Sequence, residues 1–117
     1  MLLIRHSTAE DVTNSSMVRD FDRELTSKGI MESARVGKYL KDSGLAIDGI
    51  YCSPSIRTKT TASLVAEQLK FDTDNIVLSE TLYGSGPRGY LSLLNGLENH
   101  LNTVIIVGHN PDISFFA

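Results

Sequence analysis

Two short runs of this chain carry no polar side chain, and each leads into a histidine. Leu2-Leu3-Ile4 precedes Arg5-His6, and Val104-Ile105-Ile106-Val107-Gly108 precedes His109. A half-buried strand alternates apolar and polar residues. A run that is apolar throughout must be covered on both faces, as strands of parallel sheets are. Ligands in such sheets bind outside the carboxyl ends of the strands. If the two strands are neighbours, Arg5, His6 and His109 converge on one pocket that joins a nucleophile to two cationic donors, an arrangement suited to phosphoryl chemistry.

The intervening chain supplies the rest of an α/β pattern. Leu2–Ile4 reads as the first strand, and residues Ser7–Glu24, polar and poor in periodicity, as a long loop at its end. Thr26 is a good N-cap for a helix over Ser27–Asp42, with Ile30, Ala34, Gly37 and Leu40 at inward-facing spacing and Gly44 as its C-terminal glycine. Ile47–Cys52 reads as the second strand. Ser53-Pro54-Ser55 then caps a helix over Ile56–Leu69, with Leu64, Val65 and Leu69 inward. Ile76–Ser79 is the third strand and Glu80–Gly89 a glycine-bearing loop. Tyr90, Leu91, Leu94, Leu97 and Leu101 mark a third helix, and Val104–Val107 the fourth strand. Strands alternating with helices imply βαβ units and a largely parallel sheet. After Pro111, placed as in a first helical turn, the residues Ile113, Phe115 and Phe116 read as the start of another helix. Its stop at Ala117 leads us to expect a chain shortened at its C-terminus.

Composition narrows the function classes. With 117 residues, one domain over 1–117 is expected, and 41% apolar with 21% charged residues is ordinary globular usage. The net charge of −3 comes with no lysine or arginine run. A nucleic-acid partner, which needs a basic face, is therefore not expected. No segment is apolar enough for a membrane partner or a secretory leader. A lone cysteine, Cys52, fits a reducing cytoplasm and, at the end of an apolar strand, reads as inert core.

His6 is the expected nucleophile. A neutral imidazole nitrogen can attack phosphorus, and the covalent phosphohistidine divides one hard step into two. A lone histidine more often merely ends a strand; Arg5 beside it and His109 at an equivalent strand end tip the reading the other way. Arg5 and Arg57 are the expected phosphate clamps, since a guanidinium stays charged and pairs two donors with phosphate oxygens. Arg57 sits in the first turn after Ser53-Pro54-Ser55-Ile56, where a cation opposes the helix dipole but an anion is welcome. His109 is expected to donate to the transferring phosphoryl oxygens, and Ser53, Ser55 and Thr58 to add hydroxyls. Glu80, after the third strand, is the weaker candidate, a general acid for the leaving group. A metal is not required, and the arginines would repel a cation.

At these residues the chain resembles the histidine phosphatase superfamily, whose signature is Arg-His-Gly after the first strand. Here the run is Leu3-Ile4-Arg5-His6-Ser7. Ser53-Pro54-Ser55-Ile56-Arg57-Thr58-Lys59-Thr60-Thr61-Ala62 is similar to the family's second-arginine segment. Val107-Gly108-His109-Asn110-Pro111 is similar to its second-histidine segment. Asp22-Arg23-Glu24-Leu25-Thr26-Ser27-Lys28-Gly29 and the short stretch between Arg57 and His109 look most like the small SixA-type phosphohistidine phosphatases. The resemblance implies a three-layer α/β/α fold with a mostly parallel sheet and part of the usual C-terminal region absent. It implies His6 as nucleophile, a phosphate pocket of Arg5, Arg57 and His109, and no cofactor or metal. Ser7 departs from the signature glycine, which is tolerable where its φ is negative.

Three functions follow as expectations. The first is a metal-independent phosphatase acting on protein phosphohistidine, with a phosphorelay protein as partner and a signalling role. The second acts on small phosphomonoesters and needs a working acid. The third is a phosphate- or phosphoprotein-binding module without turnover.

Overall fold

The computed structural model describes residues 2–10, 20–83, 86–97 and 103–109. The elements are β1 (Leu2–Arg5), α1 (Ser27–Asp42), β2 (Gly49–Cys52), α2 (Ile56–Leu69), β3 (Val77–Leu78), α3 (Pro87–Asn95) and β4 (Val104–Gly108). The four strands form one parallel sheet in the order β1-β4-β2-β3. The two apolar runs that end in histidine are thus adjacent, with Ile4 opposite Val107 and Arg5 opposite Gly108. The hydrogen-bond ladder continues past the strand ends. His6 donates its backbone N–H to the Gly108 carbonyl (3.1 Å) and Ser53 donates to that of Val107 (3.0 Å). Backbone pairing alone therefore brings His6, Ser53 and His109 to one carboxyl edge.

Strand alternation divides the core in two. Ile50, Cys52, Ile105 and Val107 pack with Leu40 of α1 and Ala62, Val65 and Ala66 of α2. Ile106 points the other way, onto Leu82 and Tyr90, with Leu3, Tyr51, Leu93 and Leu94 around them. Helices on both faces of a parallel sheet give the expected three layers. Val65 and Ile105 are fully buried, each worth ~1.5–3 kcal/mol relative to exposure.

Helix α1 has the expected bounds, and Thr26 caps it by accepting from the Gly29 N–H (3.1 Å). Its inward face, however, is Gly29, Ser33, Gly37 and Leu40, and Ile30 is 45% exposed. The reason is close approach. A Cβ on Gly29 would lie 2.1 Å from the Thr8 carbonyl oxygen, and one on Gly37 would lie 2.7 Å from Cβ of Gln68 in α2. The seam selects small residues rather than apolar ones. Ser33 fits there because its hydroxyl bonds the Gly29 carbonyl (3.0 Å) and the Ser7 hydroxyl (2.7 Å).

Other boundaries move by a few residues. β2 begins at Gly49 and β3 is only Val77–Leu78. Helix α3 starts earlier than expected, with Pro87 at its first position, and ends at Asn95 with Gly96 as C-cap. Leu91 is 52% exposed, Leu97 lies beyond the helix, and Leu101 and the expected helix after Pro111 lie outside the described residues. The stem of the Ser7–Glu24 segment is not irregular. Ala9 and Leu25 form an antiparallel bridge, and Thr26 and Glu10 donate to the carbonyls of Thr8 and Glu24. Cys52 is buried, which pushes its thiol up to about 12, away from reactivity.

Candidate functional site

A cavity of about 460 Å3 opens at the carboxyl edge of β1 and β4, lined by Arg5, His6, Asp20, Arg57, Tyr83 and His109, with Arg23 at its side. Of the residues expected from sequence, Arg5, His6, Arg57 and His109 meet here. Glu80 does not join them. It is exposed at the start of a short 3-10 turn, Glu80–Leu82, and lines a neighbouring groove with Phe21, Pro54 and Tyr83.

His6 is half-buried, and its Nδ1 lies 2.7 Å from the Ser7 carbonyl oxygen. A carbonyl oxygen can only accept, so Nδ1 carries the hydrogen and Nε2 keeps its lone pair in the neutral ring. Burial lowers the pKa of His6 below 6.5, and the nearby cations Arg57, Arg5 and Arg23 add to this against the hydrogen bond to Ser7. The ring is thereby held in its neutral form. Ser7 fits in place of glycine. Lys70 is the one described non-glycine residue with positive φ. The Ser7 amide donates to Thr61 Oγ1 (3.2 Å) and its hydroxyl meets Ser33.

Arg57 enters from the first turn of α2 and is 5% exposed. Its Nη1 donates to the Asp20 carbonyl (2.6 Å), and its Nη2 donates to Asp20 Oδ2 (3.0 Å) and to His109 Nδ1 (3.2 Å). Its buried Nε–H has no partner among the described residues, and an unsatisfied buried donor costs ~1–3 kcal/mol until something accepts from it. The Arg5 side chain is exposed and hydrogen-bonds to no described residue.

His109 stands 5.5 Å from His6 between ring centroids but in a different state. Because Nδ1 accepts from a guanidinium, the hydrogen of the neutral ring is on Nε2, which donates to Ser53 Oγ (2.7 Å). Burial, then the charges of Arg57 and His6, push its pKa down to about 4. A protonated ring is thus disfavoured; the ring is neutral with both nitrogens engaged. Its backbone N–H donates to Tyr90 Oη (3.0 Å). Gly108 makes this possible, since a Cβ there would lie 1.9 Å from that oxygen. Ser55 and Thr58 bond each other (2.6 Å) and the local backbone rather than line the cavity.

Asp20, Tyr83 and Arg23 were not singled out as pocket residues from sequence. Asp20 accepts from Tyr83 Oη (2.7 Å), Arg23 Nη1 (3.1 Å) and Arg57 Nη2. Partial burial would raise its pKa, but these three donors outweigh it and hold the carboxyl at about 2. Tyr83 also packs edge-on against His109 and Phe21. The one available signal was local, an acidic run that contains a single arginine, Asp20-Phe21-Asp22-Arg23-Glu24. Among the described residues no three His, Cys, Asp or Glu side chains gather as metal ligands would need.

Comparison with known proteins places this geometry. An uncharacterised protein of Mycobacterium tuberculosis is 28% identical over 100 residues, which are 86% of this chain and 60% of that protein. The chain therefore spans about 60% of the length of such curated relatives. The SixA phosphohistidine phosphatase candidate from Agrobacterium tumefaciens superimposes with a TM-score of 0.84 at 28% identity, over 97% of this chain and 70% of that one. Its counterpart from Nakamurella multipartitia gives 0.82 at 29% identity, over 97% and 62%. Residues 1–84 match the family model described as histidine phosphatase superfamily (branch 1). With the matched region covering most of the chain and the fold shared with SixA-type structures, this chain belongs to the histidine phosphatase superfamily, branch 1.

Proposed function

We propose that this chain carries the site of a metal-independent phosphatase that works through a covalent phosphohistidine at His6, with protein phosphohistidine as its substrate class. The observation that supports it best is the state of His6. Its Nδ1–H is tied to the Ser7 carbonyl, and its Nε2 lone pair is left free in a pocket with Arg5, Arg57 and His109. Residues 1–117 act as a single domain in this reading.

The Nε2 lone pair of His6 forms a bond to phosphorus as the bond to the leaving group breaks. With a phosphoimidazole protonated on its other nitrogen, the leaving imidazole departs neutral and needs no acid. Water then attacks phospho-His6, the N–P electrons return to Nε2, and both water hydrogens stay on the released phosphate. The Nδ1–H is retained throughout, so the Ser7 carbonyl orients the ring in both steps. Arg5 and Arg57 hold the equatorial oxygens, where positioning and charge supply most of the catalysis. The unpartnered Nε–H of Arg57 gains an acceptor if a phosphoryl oxygen reaches it. Once the Nη2–H of Arg57 turns from His109 Nδ1 to the phosphoryl oxygens, proton exchange with water places the ring's hydrogen on Nδ1, which donates to the same group while Ser53 Oγ–H donates to Nε2.

A phosphorelay protein as partner would place the activity in the cytoplasm and in signalling. No described helix is long and apolar enough to cross a membrane. The test is phosphate release by the full-length protein from a phosphohistidine protein and from p-nitrophenyl phosphate, with and without chelator. Turnover that survives chelation, favours phosphohistidine and disappears in His6→Ala is expected. Loss of activity with chelator overturns the metal-free mechanism, and a preference for p-nitrophenyl phosphate overturns the substrate class.

A further inference from the structure

Among the described residues that line the cavity, Asp20 is the one carboxylate. Its oxygens take hydrogen bonds from Arg23 Nη1 (3.1 Å), Arg57 Nη2 (3.0 Å) and Tyr83 Oη (2.7 Å). These are the kinds of donor a phosphoryl oxygen seeks. Three of the five N–H donors of Arg57 are already taken. Nη1 is on the Asp20 carbonyl, and Nη2 is divided between the Asp20 carboxylate and His109. Of the donors that could clamp a phosphate, one Nη2–H is held by an internal anion, the Asp20 carboxylate, and an Nη1–H by the Asp20 carbonyl, while Nε–H stays open. The Asp20 side chain is 52% exposed and belongs to the short turn Asp20–Asp22, so it has room to swing outward when another anion takes its donors.

We infer that Asp20 is a resident anion of this pocket, displaced from Arg57 and Arg23 by the incoming phosphoryl group, and that this competition disfavours dianionic phosphomonoesters relative to phosphoramidates protonated at the leaving nitrogen. The inference rests on the phosphoryl-site reading of Arg5, His6 and Arg57. A displaced carboxylate stays at the mouth of the cavity, where its field is screened less than in bulk water. A phosphomonoester dianion brings two negative charges towards it. A phosphoimidazolium brings one net charge, with its cationic ring on the outer side, where the carboxylate attracts it. Asp20 thus discriminates by charge without touching the reacting atoms. The opposite role, a carboxylate needed to orient Arg57 for phosphate, makes the opposite prediction.

The experiment is calorimetric titration of inorganic phosphate into the full-length protein and its Asp20→Asn, Asp20→Ala and Arg57→Ala variants. Both Asp20 variants are expected to bind phosphate at least about tenfold more tightly, roughly the weight of one removed charge repulsion. In parallel, the ratio of kcat/KM for a phosphohistidine peptide to that for p-nitrophenyl phosphate should fall by a similar factor. Unchanged or weaker phosphate binding in both Asp20 variants, or an unchanged ratio, overturns the inference. If Asp20→Asn and Asp20→Ala change nothing while Arg57→Ala abolishes phosphate binding, the phosphoryl site stands and only the role of Asp20 is lost. Wild-type phosphate affinity in Arg57→Ala overturns the phosphoryl site itself, and the inference with it.

Discussion

His6 and His109 end adjacent parallel strands, paired through Arg5 and Gly108, and the same sheet holds them in opposite ways. His6 is half-buried, with one nitrogen tied to the next residue's carbonyl and the other free. His109 is 8% exposed, with both nitrogens engaged, by Arg57 and by Ser53. Burial and the same arginine lower both pKa values, but the deeper ring falls further, to about 4. A free lone pair on a nearly neutral ring suits a reagent. A buried, doubly bonded ring suits a fixture that organises Arg57 and accepts a new proton position only when a ligand rearranges the network. Equivalent strand ends thus yield unlike histidines, because what packs over each end differs.

The largest test of this contrast is to remove each ring in turn. His6→Ala is expected to lower turnover by at least ~10⁴-fold, as loss of a covalent nucleophile does, while urea unfolding changes little. His109→Ala is expected to cost ~10²–10³ in rate and, unlike His6→Ala, to destabilise the fold by ~1–3 kcal/mol by leaving buried Ser53 and Arg57 donors or acceptors unmatched. Equal rate losses with equal stability losses would break the contrast.

Arg57→Ala sharpens it through pH. In the proposed mechanism neutral His6 is the reactive form, and its lowered pKa keeps it neutral to below pH 6.5, so kcat/KM should fall only as the pH drops through that lowered value. Arg57 is the largest of the charge contributions that depress it, after burial. Whatever activity remains in Arg57→Ala should therefore show its acid limb at higher pH than the wild type. A limb that stays in place would remove Arg57 from the electrostatics of His6.

His109 should instead appear in stability. Its pKa falls to about 4 in the folded chain, against ~6.5 unfolded, so the unfolded chain binds the proton first. The stabilising contribution is full above pH 6.5 and is lost as the pH falls towards 4, by up to ~3 kcal/mol. Chemical denaturation at a series of pH values should show that slope, and His109→Gln should flatten it. A slope that persists in His109→Gln belongs to another group.

Much of this site is written locally in the chain. Arg5, His6 and His109 follow apolar runs that read as strands of a parallel sheet, β4 buried throughout and the edge strand β1 only partly, and Arg57 lies in a strand-to-helix turn; pairing in register does the rest. What sequence reasoning misses depends on contacts between distant segments. Ile30 has the spacing of a core residue, yet Gly29 faces inward because the seam touches the Thr8 backbone. Tyr90 reads as one more helical apolar position, and nothing local shows that its hydroxyl caps the His109 amide over Gly108. Asp20 and Tyr83 meet across 63 positions of sequence. Neither lies in a periodic element that would announce it.

The smallest expected effect concerns Glu80, whose position after β3 made it the candidate acid. It is exposed and lines the groove on the far side of Tyr83, away from His6 and His109. An acid must come within about 3 Å, or one water, of the leaving atom. A protonated phosphoimidazole also leaves without help. On phosphohistidine substrate, Glu80→Gln should therefore change kcat/KM by less than about threefold, well short of the ~10²–10⁴ that loss of a working acid brings. Against p-nitrophenyl phosphate the same variant gives little extra information, because that leaving group is itself stable as an anion. An alkyl phosphate is the sharper probe, since its alkoxide needs a proton. A loss of ~10²-fold or more on the alkyl ester alone would mean that the groove beyond Tyr83 closes onto the phosphoryl pocket when an ester binds, and that two leaving-group chemistries share one nucleophile.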